Sequence, residues 1–156
     1  MSALIAVIVS LVLALIYAQP SSLTPAEASG QSVGDLVSMM GGHPWREGLE
    51  DVPVLIVAEN PHGLLGLACD RRFAETPGNA QALCAGFQGV VLYPPALESR
   101  ALLLNVLHHE DYHLTHTAPG APEDVFDEAG AYRAGCAYSP VSGCAWWLEH
   151  HPVVTR

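Results

Sequence analysis

The chain contains no lysine, and six arginines are its only permanent side-chain cations among 156 residues, for a formal net charge of -10. Without a basic cluster to neutralise phosphates, the composition argues against nucleic acid as a partner. The same acidity opposes adhesion to anionic lipid headgroups. Closely spaced cysteines are missing too. Cys69, Cys84, Cys136 and Cys144 form no CxxC pair, which argues against a cysteine zinc site or a thioredoxin-like redox motif. No internal repeat is present, and no charged side chain precedes Glu27. What remains is a chain that is 50% hydrophobic, enough for the core of one ordinary domain.

The uncharged beginning is itself a feature. Ala3 to Ala18 is apolar but for Ser10, a run between a signal-peptide core and a full bilayer span of roughly 17–25 residues. Residues 1–18 are therefore expected to be a signal peptide or a membrane anchor of an exported protein. Ile16 and Ala18 leave a small-residue cleavage site before Gln19. Residues 19–32, rich in Pro, Ser, Ala and Gly, read as a flexible linker, and residues 33–156 as a single domain. In an oxidising compartment the four cysteines make two disulfides with three available connectivities. Proximity in sequence pairs Cys69 with Cys84 and Cys136 with Cys144.

Turn signals and hydrophobic periodicity divide the domain. Val33 to Met40 reads as a short helix ended by Gly41-Gly42. Val52 to Ala58 and Leu64 to Cys69 flank Asn60-Pro61-His62-Gly63, the pattern of an antiparallel hairpin. Gly89 to Tyr93 is a third strand, stopped by Pro94-Pro95. From Ala96 to His116 the period becomes helical, with Leu97, Ala101, Leu104, Leu107 and Leu114 apolar and no Gly or Pro inside. A second helix is expected over Val125 to Ala137, and Trp146-Trp147 open a tail whose default is core burial. The sum is a small α+β domain, an antiparallel or mixed sheet followed by two helices.

One run specifies chemistry: His109-Glu110-Asp111-Tyr112-His113, an HExxH array late in the long helix. One helical turn separates the histidines, so both imidazoles point to one side, where Zn²⁺ can bridge them. Glu110 then acts as general base toward a metal-activated water. A third ligand is expected from the acidic group Glu123, Asp124, Asp127 and Glu128. Glu128 is the choice, because Ala129, Gly130 and Ala131 let a second helix approach closely. Asp124 or Asp127 could orient a ligand histidine, and Tyr132, one turn after Glu128, could donate to a developing oxyanion. His116 is either an accessory ligand or a solvated helix end.

The apolar lead Leu103-Leu104-Asn105-Val106-Leu107, then HEDYH, then Asp127-Glu128-Ala129-Gly130-Ala131-Tyr132 together resemble the gluzincin branch of zincin metallopeptidases. The resemblance covers roughly Val52 to Tyr138. It implies a zincin-like fold, with a small sheet packed on the active-site helix and an edge strand that aligns a peptide substrate. Gly89 to Tyr93 is the candidate for that edge. It also implies a zinc-dependent peptidase with His109, His113 and Glu128 as ligands. Asp111 is charged where the family pattern carries an uncharged residue, and His108 precedes the first ligand and could compete with it. Two other readings start from the same residues. One is a non-catalytic, membrane-tethered, disulfide-stabilised binding domain; the other is a zinc hydrolase acting on a non-peptide bond.

Overall fold

In the computed structural model of the chain, residues 20–60, 63–69, 84, 86–116 and 127–150 are described. The apolar segment 1–18 lies outside them. The described residues begin with two short helices, each started by a reciprocal cap. The Thr24 hydroxyl accepts from the Glu27 N–H at α1 (Pro25–Ala28), while the Glu27 carboxylate accepts from the Thr24 N–H. Ser32 and Asp35 repeat the arrangement at α2 (Val33–Met39). Such boxes satisfy donors that a first helical turn leaves open. Leu23 and Ala28 are buried, and backbone bonds join Leu23 to Leu97 and Arg100 to Ser21. From Ser21 onward, the stretch read as a tether thus lies packed against the domain.

Strands β1 (Val54–Ile56), β2 (Gly66–Cys69) and β3 (Gly89–Leu92) form a mixed sheet in the order β1-β3-β2. β1 runs parallel to β3, and β2 runs antiparallel to it. This corrects the expected hairpin, since β1 and β2 flank β3 and do not pair. The reason lies in composition: all four residues of β3 are buried, and a strand apolar on both faces belongs at the centre. The substrate-edge expectation for Gly89 to Tyr93 falls with it. The edge beside the long helix is β2.

Alternate side chains of β3 divide the core. Val90 and Leu92 join Leu36, Leu49, Leu103 and Leu107 in the main cluster. Val91 and Tyr93 face a second cluster containing the Cys69–Cys84 disulfide. Helix α3 (Arg100–His116) follows a single 3₁₀ turn at Pro94–Leu97, so it starts later than its periodicity suggested. Leu103, Leu104, Asn105, Val106 and Leu107 are all buried, because α3 packs on the sheet and also against α4 (Glu128–Tyr138). Buried Asn105 donates through Nδ2 to the Ser139 carbonyl at 2.9 Å, fixing the end of α4. The Cys136–Cys144 disulfide then ties α4 to α5 (Cys144–His150). Both bridges join the pairs expected from sequence proximity, and two disulfides fit an oxidising, extracytoplasmic compartment. Among the described residues no helix is long and apolar enough to cross a membrane.

Candidate metal centre

The four-residue spacing of His109 and His113 brings their Nε2 atoms to 3.3 Å from each other on the last turns of α3. Glu128, the first residue of α4, completes a triangle. Its Oε2 lies 3.5 Å from His109 Nε2 and its Oε1 3.3 Å from His113 Nε2. One donor atom from each residue lies within 4.8 Å of the others, so the group could hold a metal ion. His113 is buried, His109 nearly so, and the Glu128 side chain is about half exposed. The triangle opens into a cavity of about 590 Å³ walled by residues 63–68, α3, Tyr132 and Trp147.

Glu128 reaches this point because the start of α4 is clipped to α3. The Asp127 carboxylate caps α4 by accepting from the Gly130 N–H and also accepts from the Tyr112 hydroxyl, each at 2.8 Å. A Cβ at position 130 would stand 2.3 Å from that hydroxyl, so only glycine fits under the clip. Asp127, expected to orient a ligand histidine, is thus bound to Tyr112 and the α4 backbone, and acts on the ligand that follows it. Asp124 lies outside the described residues.

Glu110 is buried against the edge strand, where its carboxylate accepts from the Ala68 N–H. A Cβ at Gly66 would come within 2.9 Å of the Glu110 side chain. A glycine inside a strand signals such an approach, a sign available in the sequence and not used. Burial pushes the Glu110 carboxyl up, with His109 and His113 opposing. At Glu128 burial acts the same way, but hydrogen bonds from both histidines outweigh it and hold the carboxyl well below the usual range. Burial would lower His109, yet the Glu128 hydrogen bond and the charges of Glu110 and Glu128 raise it. Glu110 and Glu128 together therefore favour positive charge on His109. Tyr132 lies over His109 with ring centroids 4.7 Å apart, and burial raises its pKa, keeping its hydroxyl a donor at neutral pH.

The other side of the motif faces away. Asp111 is buried and accepts from Arg46 Nε at 2.8 Å, from Arg46 Nη2, and from Trp45 Nε1 at 2.9 Å. His108 stacks on Tyr138 and meets the edge of Trp45, so it does not compete for the triangle. His116 is exposed, stacks on Tyr112 at the helix end and stands outside the group. Trp147 lines the cavity, whereas Trp146 is largely exposed. Trp45 and Arg46 carried no signal in the sequence that tied them to Asp111. No family model, curated protein or solved structure matches this chain.

Proposed function

We propose that the chain is an exported zinc-dependent metallopeptidase of minimal, gluzincin-like build, with His109, His113 and Glu128 as the metal ligands. The observation that carries this reading is the convergence of three donor residues: the two imidazole Nε2 atoms lie 3.3 Å apart, and Glu128 brings Oε2 to 3.5 Å from His109 and Oε1 to 3.3 Å from His113. Ligands about 2.0–2.1 Å from a tetrahedral zinc ion stand about 3.3–3.4 Å apart, and two imidazoles with one carboxylate form a familiar catalytic donor set. Zinc held there would bring the pKa of a bound water toward neutrality and polarise a carbonyl.

The remaining steps belong to the protein. Glu110, whose carboxyl is raised by burial, takes the proton of the attacking water and returns it to the leaving amine. The Tyr132 hydroxyl donates to the oxyanion that develops on the carbonyl. Substrate binds along β2. The Tyr93 N–H donates to the Leu65 carbonyl, so antiparallel alternation turns the backbone groups of Leu65, Leu67 and Cys69 toward β3. Those of Gly66 and Ala68 point to the open edge. Ala68 spends its N–H on Glu110, which leaves Gly66 to pair with an extended peptide. Residues 1–18 direct export, as a signal peptide or as a membrane anchor.

Incubation of the full chain with an unfolded protein substrate tests the reading. Cleavage should stop with a chelator and return with added zinc. A zinc-loaded chain that leaves unfolded protein intact would contradict it.

A further inference from the structure

The two disulfides sit in different surroundings. Cys69 and Cys84 are 0% and 1% exposed, inside the apolar cluster of Val91 and Tyr93. Cys136 and Cys144 keep 8% and 9% of their surface and border polar groups. Asn105 Nδ2 lies 3.7 Å from each of their sulfurs, and the Val141 N–H donates to Cys144 Sγ alone, at 3.4 Å. Thiol exchange expels the sulfur better able to carry negative charge. A hydrogen-bond donor favours the thiolate over the thiol, so Cys144 is the leaving sulfur and Cys136 the one attacked.

What this bridge holds is short. α5 has seven residues, and a helix of that length is not stable alone in water. Its first residue, Cys144, is buried and Trp147 is half-buried, while every other residue of α5 is exposed. The first of these inward side chains is bonded to α4 through the bridge. The second, Trp147, stacks on Tyr132 with ring centroids 5.2 Å apart and walls the cavity over the donor triangle. Asn105 joins the two, since it lines that cavity and reaches both sulfurs.

We propose that the Cys136–Cys144 bridge is a redox latch on this cavity. Closed, it seats Trp147 against Tyr132; opened by a dithiol reductant, it releases α5 and removes that wall. A thiolate of the reductant attacks Cys136 Sγ, the bond to Cys144 breaks, and Cys144 leaves as a thiolate that takes up a proton. The second thiol of the reductant then displaces Cys136, which is protonated in turn. Two electrons and two protons pass to the protein, and the reductant departs as its own disulfide. With the wall gone, the Tyr132 ring loses its stack and its hydroxyl the fixed aim at the reacting carbonyl. A misplacement of about 1 Å costs up to about 100-fold in rate. The inference rests on the peptidase reading for the activity that is controlled, and not for the latch itself.

The test follows bridge, helix and activity in the zinc-loaded full chain as reduced glutathione is raised against oxidised glutathione. Mass spectrometry after alkylation should find Cys136–Cys144 open at a ratio at least tenfold lower than Cys69–Cys84, with trapped glutathione on Cys136. Amide exchange across α5 should then rise. Hydrolysis of an unfolded protein substrate should fall at least tenfold, with zinc content unchanged and recovery on reoxidation. Trp147→Ala should show the low activity with the bridge intact and no further response to thiol. Trp147→Phe, which keeps a ring on Tyr132, should stay within a few-fold of wild type. A bridge that opens no earlier than Cys69–Cys84, opens without freeing α5, or opens with hydrolysis unchanged overturns the latch and leaves the peptidase standing. Activity lost only together with zinc also overturns the latch. Release of α5 on opening, with no hydrolysis in either state, keeps the latch and overturns the peptidase. Neither release nor hydrolysis overturns both.

Discussion

Glu110 and Asp111 are adjacent in the chain and both buried, yet they occupy different faces of α3, about 100° apart, with opposite surroundings. Asp111 meets a guanidinium and an indole N–H, so its oxygens hold strong donors and its charge is balanced. Glu110 leans on the Ala68 N–H and stands beside two imidazoles whose donor atoms converge with those of Glu128. An acid locked to fixed partners holds a fold in register. An acid raised in pKa beside converging donors, in an open cavity, is placed to exchange a proton. On the proposed reading, the back of the HEDYH helix is structural and the front is chemical.

The sharpest break in that contrast comes from Glu110→Gln. The amide keeps the shape but cannot take a proton, so peptide hydrolysis should fall by about 10²–10⁴-fold. Zinc content and melting temperature should stay as they were; activity within a few-fold of wild type would remove Glu110 from the chemistry. His113→Ala acts next, by removing one of the three proposed ligands. Elemental analysis after dialysis should show the zinc of the wild-type protein lost, and retained zinc would place the metal elsewhere.

On the back face the expected effect is on stability. Arg46→Ala strands a buried charge at Asp111, and denaturant unfolding should show a loss of about 2–3 kcal/mol, toward the low end for such pairs because Arg46 is partly exposed. The folded fraction should still bind zinc. An Arg46→Ala protein that is fully stable but cannot hold zinc would invert the division between the faces. The smallest effect is expected at the clip between the helices. Tyr112→Phe removes one hydrogen bond to Asp127, worth about 1 kcal/mol, and should speed zinc loss to a competing chelator by a few-fold. Asp127→Asn, which keeps Oδ1 for the Gly130 N–H and can donate through Nδ2 to the Tyr112 hydroxyl, should lose zinc more slowly than Tyr112→Phe.

The parts legible in the sequence are those fixed by local spacing. The i, i+4 histidines, the α3 periodicity and the small residues beside Glu128 each follow from helix geometry, and the structure brings His109, His113 and Glu128 together. The disulfide pairs also follow from proximity. Strand order did not, because Asn60 and Gly63 make a turn signal whatever the strands on either side then pair with. Only the burial of Val90 and Val91 on both faces sends β3 to the centre. The partners of Asp111 lay 65 and 66 residues away in sequence, and no local pattern links residues that distant. Gly66 was readable as a close approach, but what approaches it depends on the sheet order.

The most direct test of the account is X-ray absorption at the zinc edge on the folded full chain, purified without chelators. The account predicts about one zinc per chain, with two imidazole nitrogens and carboxylate or water oxygen at about 2.0–2.2 Å. Zinc well below one per chain, or a shell built of sulfur at about 2.3 Å, would contradict the claim that His109, His113 and Glu128 form a metal centre.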